Sequence, residues 1–188
     1  MNKRSTFLVF LLCLFACNHL IFAFGLNKVQ YNRFNWSYFQ TEHFDIYFPQ
    51  ETDSVALFSA NHVEEMYQHI SEVLGHELSN RVPIILHNTH AEFEQTNVTR
   101  FPLHEAIGGF TEMLKNRIVL PFEGNYADFY HVLKHEMVHA FVNDLLFGND
   151  SKNGSLRNGS FRFPLWVNEG LAEYISLDNS CPKTSEMC

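Results

Sequence analysis

The chain has 188 residues, of which 46% are hydrophobic, and these include 19 Phe and 7 Tyr. This length suggests one domain, and this composition supplies a packed core, so intrinsic disorder and low complexity are poor descriptions of the chain. The formal net charge is −8, and no cluster of basic residues occurs beyond the first few positions. A nucleic-acid partner is therefore disfavoured, because phosphate contacts require clustered Lys and Arg.

The N-terminus has the pattern of a secretory signal. A short basic region at residues 2–4 precedes an apolar run at residues 6–17, and a second apolar stretch follows at residues 20–24. We predict cleavage near Ala23, which removes residues 1–23. The rest of the chain would then be exported to the periplasm or the extracellular space.

Two other interpretations of this segment remain open. Leu14 to Cys17 is similar to a lipoprotein signal, in which the chain is cut before Cys17 and this cysteine is lipidated. Residues 6–24 are also nearly long enough to span a bilayer as an uncleaved anchor. In each case we expect the protein to meet the membrane only through its N-terminal signal or lipid anchor.

A strand and a long helix are predicted next. Residues 25–41 have no clear period, whereas the alternation of apolar residues in Glu42–Phe48 predicts a strand. Thr52 or Asp53 then caps an amphipathic helix that runs to about Leu78. The apolar stripe of this helix comprises Val55, Leu57, Phe58, Val63, Met66, Tyr67, Ile70, Val73 and Leu74.

A short strand, a short helix and a hairpin follow. The sequence predicts a buried strand at Val82–Leu86 and a short helix at Thr89–Thr96. Residues 107–121 predict a hairpin that turns near Lys115 and Asn116 and returns as a second strand.

The start of this hairpin has two interpretations. Gly108 and Gly109 suit a bulge or the close approach of another backbone, and such a strand could accept an extended peptide at its edge. The same residues also fit an ordinary hairpin with a flexible start. The sequence does not choose between them.

The helix predicted from Tyr126 to about Leu146 carries the candidate catalytic residues. His135 and His139 lie four residues apart, so both imidazoles project from one helical face and can reach a single ion. Glu136 projects about 100° away from His135, where a general base belongs. The helix is apolar nearly all round and should be buried. Burial of these three side chains costs on the order of several kcal/mol unless they are partnered, which favours a metal.

A polar loop and one more helix complete the chain. Residues 148–163 are rich in Gly, Asn and Ser, which predicts a surface loop, and Pro164 suits the start of a helix that ends near Ser176. In the tail, Cys181 and Cys188 either close a small loop in an oxidising compartment or remain free thiols, and their spacing does not suit zinc. The buried side of the helix is predicted to comprise Trp166, Val167, Leu171, Ala172 and Ile175.

A catalytic zinc ion needs a third protein ligand. His131 is excluded, because residues 131 and 139 are roughly 12 Å apart along a helix, and we expect a surface or packed histidine there. Glu169 and Glu173 lie on one face of the last helix. One can bind the metal while the other accepts a hydrogen bond from a ligand histidine. Their spacing alone does not determine which carboxylate binds the metal and which accepts the hydrogen bond.

The motifs HEMVH (residues 135–139) and PLWVNEGLAEY (residues 164–174) together resemble the gluzincin metallopeptidases, the thermolysin-like and aminopeptidase-like group. This resemblance implies that Glu169 is the third ligand of one Zn²⁺ per chain. It also implies that Glu173 is the supporting carboxylate behind a ligand histidine.

Other stretches are similar to the peptidase-like module that precedes a TolB-like β-propeller in bacterial envelope proteins. The similarity covers nearly all of residues 24–178 and implies a propeller or another envelope protein as partner. It also implies an α+β, zincin-like fold: a small mixed sheet with an edge hairpin, packed on a long N-terminal helix and a buried active-site helix. The similar stretches are FGLNKVQYNRFNWSYFQTEHFDIYFP, HNTHAEFEQTNV and GGFTEMLKNRIVLPFEGNYADFYHVLKHEMVHAF.

The chain departs from this family in its length. The segment between His139 and Glu169, residues 140–168, is longer than in the best-known gluzincins. After the last predicted helix, the sequence continues only with the tail of residues 179–188. Gluzincin peptidases usually carry a further helical part, which supplies a Tyr or His to the oxyanion. The chain is therefore either a fragment or a minimal form. The candidate oxyanion donors are Tyr174, Tyr130 and His131.

The predicted function is zinc-dependent hydrolysis of a peptide or protein substrate, with Glu136 as the general base. The alternative is a catalytically silent, zinc-bearing module that binds peptides or proteins of the cell envelope. A third hypothesis is a structural domain without metal. Zinc content and cleavage of peptides, measured together, distinguish the three.

Overall fold

The structure is a computed structural model, and it describes residues 28, 31, 33–97, 99, 103, 106–113, 115–148 and 164–177. The predicted signal, the alternative lipidation at Cys17, nearly all of the Gly/Asn/Ser loop and the two-cysteine tail lie outside the described residues.

The described residues form a mixed α+β structure around a five-stranded sheet, in the order β1-β2-β3-β5-β4. The pairs β1–β2 and β5–β4 are antiparallel, whereas β2–β3 and β3–β5 are parallel. The prediction of an α+β fold with a small mixed sheet and an edge hairpin is therefore confirmed. The strands are β1 (Trp36–Gln40), β2 (Phe44–Pro49), β3 (Val82–His87), β4 (Phe110–Glu112) and β5 (Arg117–Pro121), and the helices are α1 (Asp53–Leu74), α2 (His90–Glu94), α3 (Tyr126–Phe147) and α4 (Leu165–Leu177).

Strand β1 was not predicted from the sequence. Four of its five residues are exposed, so the strand has no buried face to impose an alternating pattern. Its conformation comes from antiparallel pairing with β2, in which Tyr38 lies opposite Tyr47. This is tertiary context, which a local sequence pattern does not report.

Helix α1 begins at Asp53 with Thr52, one of the two predicted caps, at its N-cap, but the Thr52 side chain forms no capping hydrogen bond and the helix ends earlier than predicted. Gly75 adopts a left-handed conformation with φ of 61°, and its N–H donates to the Ser71 carbonyl, which closes the helix before Leu78. Leu57 and Val73 were expected in the buried stripe, but they are 55% and 48% exposed. The residues of α1 that do pack into the core are Val55, Ala56, Phe58, Ser59, Val63, Met66, Tyr67 and Ile70.

Helix α3 is the buried central helix that the sequence predicts. The Asn125 side chain caps its first turn by accepting from the N–H of Ala127. Leu133, Met137 and Phe141 are fully buried in the core between the sheet and the helices. Among the helices in the described ranges, none has both the length and the apolarity needed to cross a membrane.

Helix α4 packs on α3 through a narrow stripe. Ala172 and Ile175 are buried as predicted, whereas Val167 and Leu171 are half-buried. The prediction that Trp166 is buried is wrong, because this side chain is 77% exposed. Nine residues separate it from Ile175, which places the two side chains about 180° apart around the helix.

The β4–β5 hairpin turns at the predicted position and is tied to α3 by its turn. Asn116 has φ of 48°, a conformation that most side chains rarely adopt and that Asn tolerates. Its Nδ2 donates a hydrogen bond of 3.0 Å to the carbonyl of Ala140 on α3. The turn therefore holds the edge strand against the helix that carries the candidate site.

Two substitutions at Asn116 separate the contribution of turn geometry from that of the hydrogen bond. Asn116→Gly keeps the left-handed conformation accessible and loses the hydrogen bond, which should lower the free energy of unfolding by about 1 kcal/mol. Asn116→Ala loses both and should cost about 1 kcal/mol more. Urea unfolding of both variants measures the difference, and equal stabilities would show that the backbone conformation contributes nothing.

Candidate metal centre

The predicted site residues meet in one cleft. It has a volume of about 810 Å³ and opens between residues 106–113, α3 and α4, within the size range of ligand-binding clefts. Six side chains with metal-binding or proton-transferring groups line it, namely His131, His135, Glu136, His139, Glu169 and Glu173.

Three of these side chains converge on a single point. The Nε2 atoms of His135 and His139 are 3.2 Å apart, and each lies 3.4 Å from Oε2 of Glu169. In a tetrahedral zinc site with metal–ligand bonds of about 2.0–2.1 Å, the ligand atoms are separated by about 3.3–3.4 Å. The three atoms thus have the spacing of three corners of such a tetrahedron.

The two helices produce this convergence in different ways. Along α3, the separation of four residues stacks His135 and His139 on one face. Glu169 arrives from α4, whose buried Ala172 and Ile175 set how that helix lies on α3. His135, His139 and Glu169 are one of two groups in the described chain whose ligand atoms lie close enough to share a metal ion.

Glu173 lies behind the first histidine, on the side away from the converging atoms. Its Oε2 is 3.3 Å from Nδ1 of His135 and 3.4 Å from Nε2 of His131. A carboxylate that accepts from Nδ1–H leaves the lone pair of Nε2 free to bind a metal. Oε2 of Glu169 therefore lies nearer the two Nε2 atoms, whereas Oε2 of Glu173 lies behind His135. Spacing alone left open which of the two carboxylates does so.

Asn168 occupies the corresponding position near the second histidine. The Asn168 Oδ1 atom and the His139 Nδ1 atom are both shielded from solvent, and neither has a hydrogen-bond partner within the described residues. Burial lowers the pKa of His139, while Glu169 and the neighbouring Asn168 side chain oppose this lowering. Pairing of the two atoms would orient His139 as Glu173 orients His135. Asn168 was not predicted as a site residue, although it directly precedes Glu169.

Glu136 lies beside the converging atoms but is not one of them. It is only 6% exposed, and its Oε2 accepts a hydrogen bond of 2.7 Å from the Thr111 hydroxyl on β4. Burial raises the pKa of Glu136 to about 7, against the lowering effect of Thr111 and with a further increase from the charge of Glu169. Thr111 was also missed, because its role depends on where β4 packs against α3.

Gly109 makes room for this carboxyl group. A Cβ atom at this position would lie 3.3 Å from both Glu136 Cγ and Val132 Cγ1, and it would collide with the end of the Leu120 side chain. The close approach that the two glycines suggested thus involves side chains rather than another backbone. It occurs at Gly109, since Gly108 would meet only Val132, at ordinary contact distance.

The three candidate oxyanion donors lie in different places. Tyr130 is buried, and its ring packs edge-on against Phe58 and His62 on the core side of α3. Tyr174 is 70% exposed, and neither tyrosine is among the residues that line the cleft. Of the three, the structure brings only His131 to the cleft.

A second group with metal-ligand chemistry has a simpler explanation. It comprises Glu42, His43 and Glu64. The Nδ1 of His43 is 2.7 Å from Oε2 of Glu64, and the backbone N–H of His43 donates to the other oxygen of that carboxylate at 2.9 Å. The first distance is that of a charge-assisted hydrogen bond and is shorter than the separation of two ligands on one zinc ion. We therefore regard this group as a hydrogen-bonded pair.

The donor set in the cleft matches the preferences of zinc. Two imidazole nitrogens and one carboxylate oxygen are typical ligands of catalytic zinc, and they leave a fourth position open. Comparisons with protein-family models, with curated proteins and with solved structures give no match for this chain.

Glu136 should make the stability of the metal-free chain depend on pH. Because folding raises the pKa of Glu136 from 4.5 to about 7, the folded state binds more protons than the unfolded state between these values. Stability therefore falls as pH rises through this window. Ionisation of the buried Glu136 lowers the free energy of unfolding by on the order of 3 kcal/mol above pH 7, and this loss is absent well below pH 4.5.

Glu136→Gln should remove this dependence. The measured quantity is the free energy of unfolding of the variant minus that of the parent chain, both in EDTA. This difference should be roughly 3 kcal/mol larger at about pH 8 than at about pH 4. Replacement of the exposed Glu51 by Gln controls for the loss of one negative charge. A difference between Glu136→Gln and the parent that stays constant with pH would rule out this role of Glu136.

Proposed function

We propose that this chain is a zinc-dependent peptidase with a zincin-like active site. In this proposal His135, His139 and Glu169 hold one Zn²⁺ per chain, Glu173 supports His135, and Glu136 is the general base. The convergence of three ligand atoms at 3.2–3.4 Å, beside a buried carboxyl group, is the observation that carries the proposal.

The chemistry divides between the ion and the chain. A bound zinc ion would lower the pKa of water and polarise the carbonyl of the scissile bond. Glu136 accepts the proton of the attacking water. Its Oε2 is held by Thr111, so Oε1 is the oxygen left for this transfer. In the metal-free chain burial raises the pKa of Glu136 to about 7, and the charge of a bound zinc ion would lower it, which favours the carboxylate form that accepts a proton.

His131 is the donor that we assign to the developing oxyanion. It lines the cleft, whereas Tyr130 and Tyr174 do not. Its Nε2 is 3.4 Å from Oε2 of Glu173, and an Nε2–H that donates to this carboxylate would fix the orientation of the ring. Glu173 would then orient two histidines, one that binds the ion and one that faces the substrate.

An extended peptide is the substrate that fits the walls of the cleft. Strand β4 is the last strand of the sheet and forms one wall beside Glu136. A peptide could add to its outer edge by main-chain hydrogen bonds, which would lay the scissile bond across α3. We also propose export to the periplasm or extracellular space, which the N-terminal pattern supports. A propeller or another envelope protein is the proposed partner, which the family resemblance supports.

The second candidate function is a zinc-bearing module that binds peptides without cleaving them. It is favoured by the exposure of Glu169, whose side chain is 51% accessible, and by the position of both tyrosines outside the cleft. A site with few oxyanion donors would hold a peptide without stabilising its transition state.

Glu136→Gln should separate metal binding from catalysis. The variant should keep about one zinc ion per chain, because Glu136 is not a ligand, and should lose cleavage of a mixed peptide library by about 10²-fold or more. Zinc content by atomic absorption and cleavage by mass spectrometry give the two results, with Glu123→Gln as an exposed control.

Each outcome of that experiment favours a different function. Unchanged cleavage in Glu136→Gln would refute the general-base role. One zinc ion per chain without cleavage in the parent chain would support the binding module, and a parent chain without zinc would support a metal-free structural domain.

Glu173→Ala should weaken zinc binding without abolishing it. Loss of a carboxylate that orients a ligand histidine typically lowers metal affinity about 10- to 100-fold. Competition with a fluorescent chelator measures the affinity, and Glu51→Ala controls for the lost charge. Loss of affinity as complete as in Glu169→Ala would mean that Glu173 binds the ion itself, whereas unchanged affinity would mean that it gives no support.

A further inference from the structure

A second groove lies on the opposite face of the sheet from α3. Along β3, Ile84 and Leu86 face the core under α1 and α3, whereas Ile85 and His87 face the side covered by α2. The groove has a volume of about 370 Å³ and is large enough for a small ligand. It contains none of the residues of the candidate metal centre.

One wall of the groove is aromatic. The rings of Phe34 and Trp36 meet edge-on with centroids 5.5 Å apart, and both contact the imidazole of His87, at 6.0 and 5.8 Å. Trp36 keeps 46% of its surface exposed, so this wall presents apolar surface to the groove. A flat ring that packs on this wall would cover it.

The floor of the groove is uncharged. His87 is 5% exposed, and in the described part of the chain its Nδ1 has no hydrogen-bond partner. Burial lowers the pKa of His87 to about 4, so the imidazole is neutral near pH 7. A ring seated over it would therefore not bury a charge.

Among the polar side chains that line the groove, the Arg33 guanidinium is a cationic group that can pair with a ligand. Both ends of the Gln95 amide are engaged, since Nε2 donates to the Ala91 carbonyl and Oε1 accepts from the Tyr31 N–H. The Glu92 carboxylate accepts from the Asn88 N–H at 3.1 Å. Arg33 is exposed, and within the described residues its guanidinium forms no hydrogen bond or ion pair.

We propose that this groove binds an aromatic carboxylate. The ring packs against Phe34 and Trp36 above His87, and the carboxylate accepts paired hydrogen bonds from the Arg33 guanidinium. Arg33 alone can pair with one carboxylate, and the negative charge of Glu92 in the same groove disfavours polyphosphates and nucleic acids. The ligand is either a free aromatic acid or the C-terminal aromatic residue of a polypeptide, which present the same chemistry.

Calorimetric titration with matched ligands tests the proposal. N-acetyl-phenylalanine and its neutral amide differ only in the carboxylate, and Ala-Ala-Phe with a free or amidated C-terminus extends the pair to peptides. All titrations contain EDTA, so that no carboxylate binds a metal. The acids should bind about tenfold or more tightly than the amides. Equal affinities, or no binding of either acid at millimolar concentration, would overturn the proposal.

The two acids also identify the source of the ligand. If Ala-Ala-Phe binds about tenfold or more tightly than N-acetyl-phenylalanine, then the groove takes the C-terminus of a polypeptide. Similar affinities of the two acids, each still preferred over its amide, would assign a free aromatic acid.

Three variants test which side chains bind the ligand. Arg33→Gln should remove the preference for the acids and leave amide binding unchanged, whereas Trp36→Leu should weaken acids and amides alike. Lys115→Gln makes the same charge change outside the groove and should alter nothing. If Arg33→Gln keeps the full preference for the acids over the amides, or if Lys115→Gln loses it, then Arg33 is not the group that binds the carboxylate. Since Arg33 is exposed, that test stands even if Trp36→Leu fails to fold.

Discussion

The candidate metal centre depends on the packing of α4 against α3. The two histidines on α3 supply two of the three candidate ligand atoms, and the third comes from α4. Ala172 and Ile175 are the buried residues that fix this contact. They place Glu169 within 3.4 Å of both imidazoles and Glu173 behind His135. A shift of α4 by one residue would rotate both carboxylates about 100° away from the site.

A second constraint is the burial of a carboxyl group next to this cluster. Glu136 is nearly inaccessible to solvent, and a carboxylate in such a position needs a donor. Thr111 supplies it from β4, and the absence of a side chain at Gly109 leaves space for it. The hydrogen bond from Asn116 to the Ala140 carbonyl holds the same hairpin on α3. The edge strand thus positions the proposed base as well as bounding the cleft.

Local patterns in the sequence predicted the parts of the fold that they determine. Periodicity identified α1 and β2, a short apolar run identified β3, and a motif-bearing stretch that is apolar nearly all round identified α3. The four-residue spacing identified the pairs that share a helical face. The exposure of Trp166 and Leu57, the strand β1 and the contacts of Thr111 and Asn168 were not predicted. Each depends on which surfaces meet in three dimensions, and hydrophobic composition alone does not encode it. The position of α4 likewise decides which of Glu169 and Glu173 lies nearer the two converging Nε2 atoms.

X-ray absorption spectroscopy at the zinc edge tests the central claim most directly, because it reports the atoms around the ion rather than the consequences of binding. For the zinc-loaded chain, the account predicts a first shell of nitrogen and oxygen atoms at about 2.0–2.1 Å with the scattering pattern of two imidazoles. Glu169→Ala should lose one oxygen ligand or the ion itself. A shell that contains sulfur, or one with fewer than two imidazoles, would contradict the assignment of His135, His139 and Glu169.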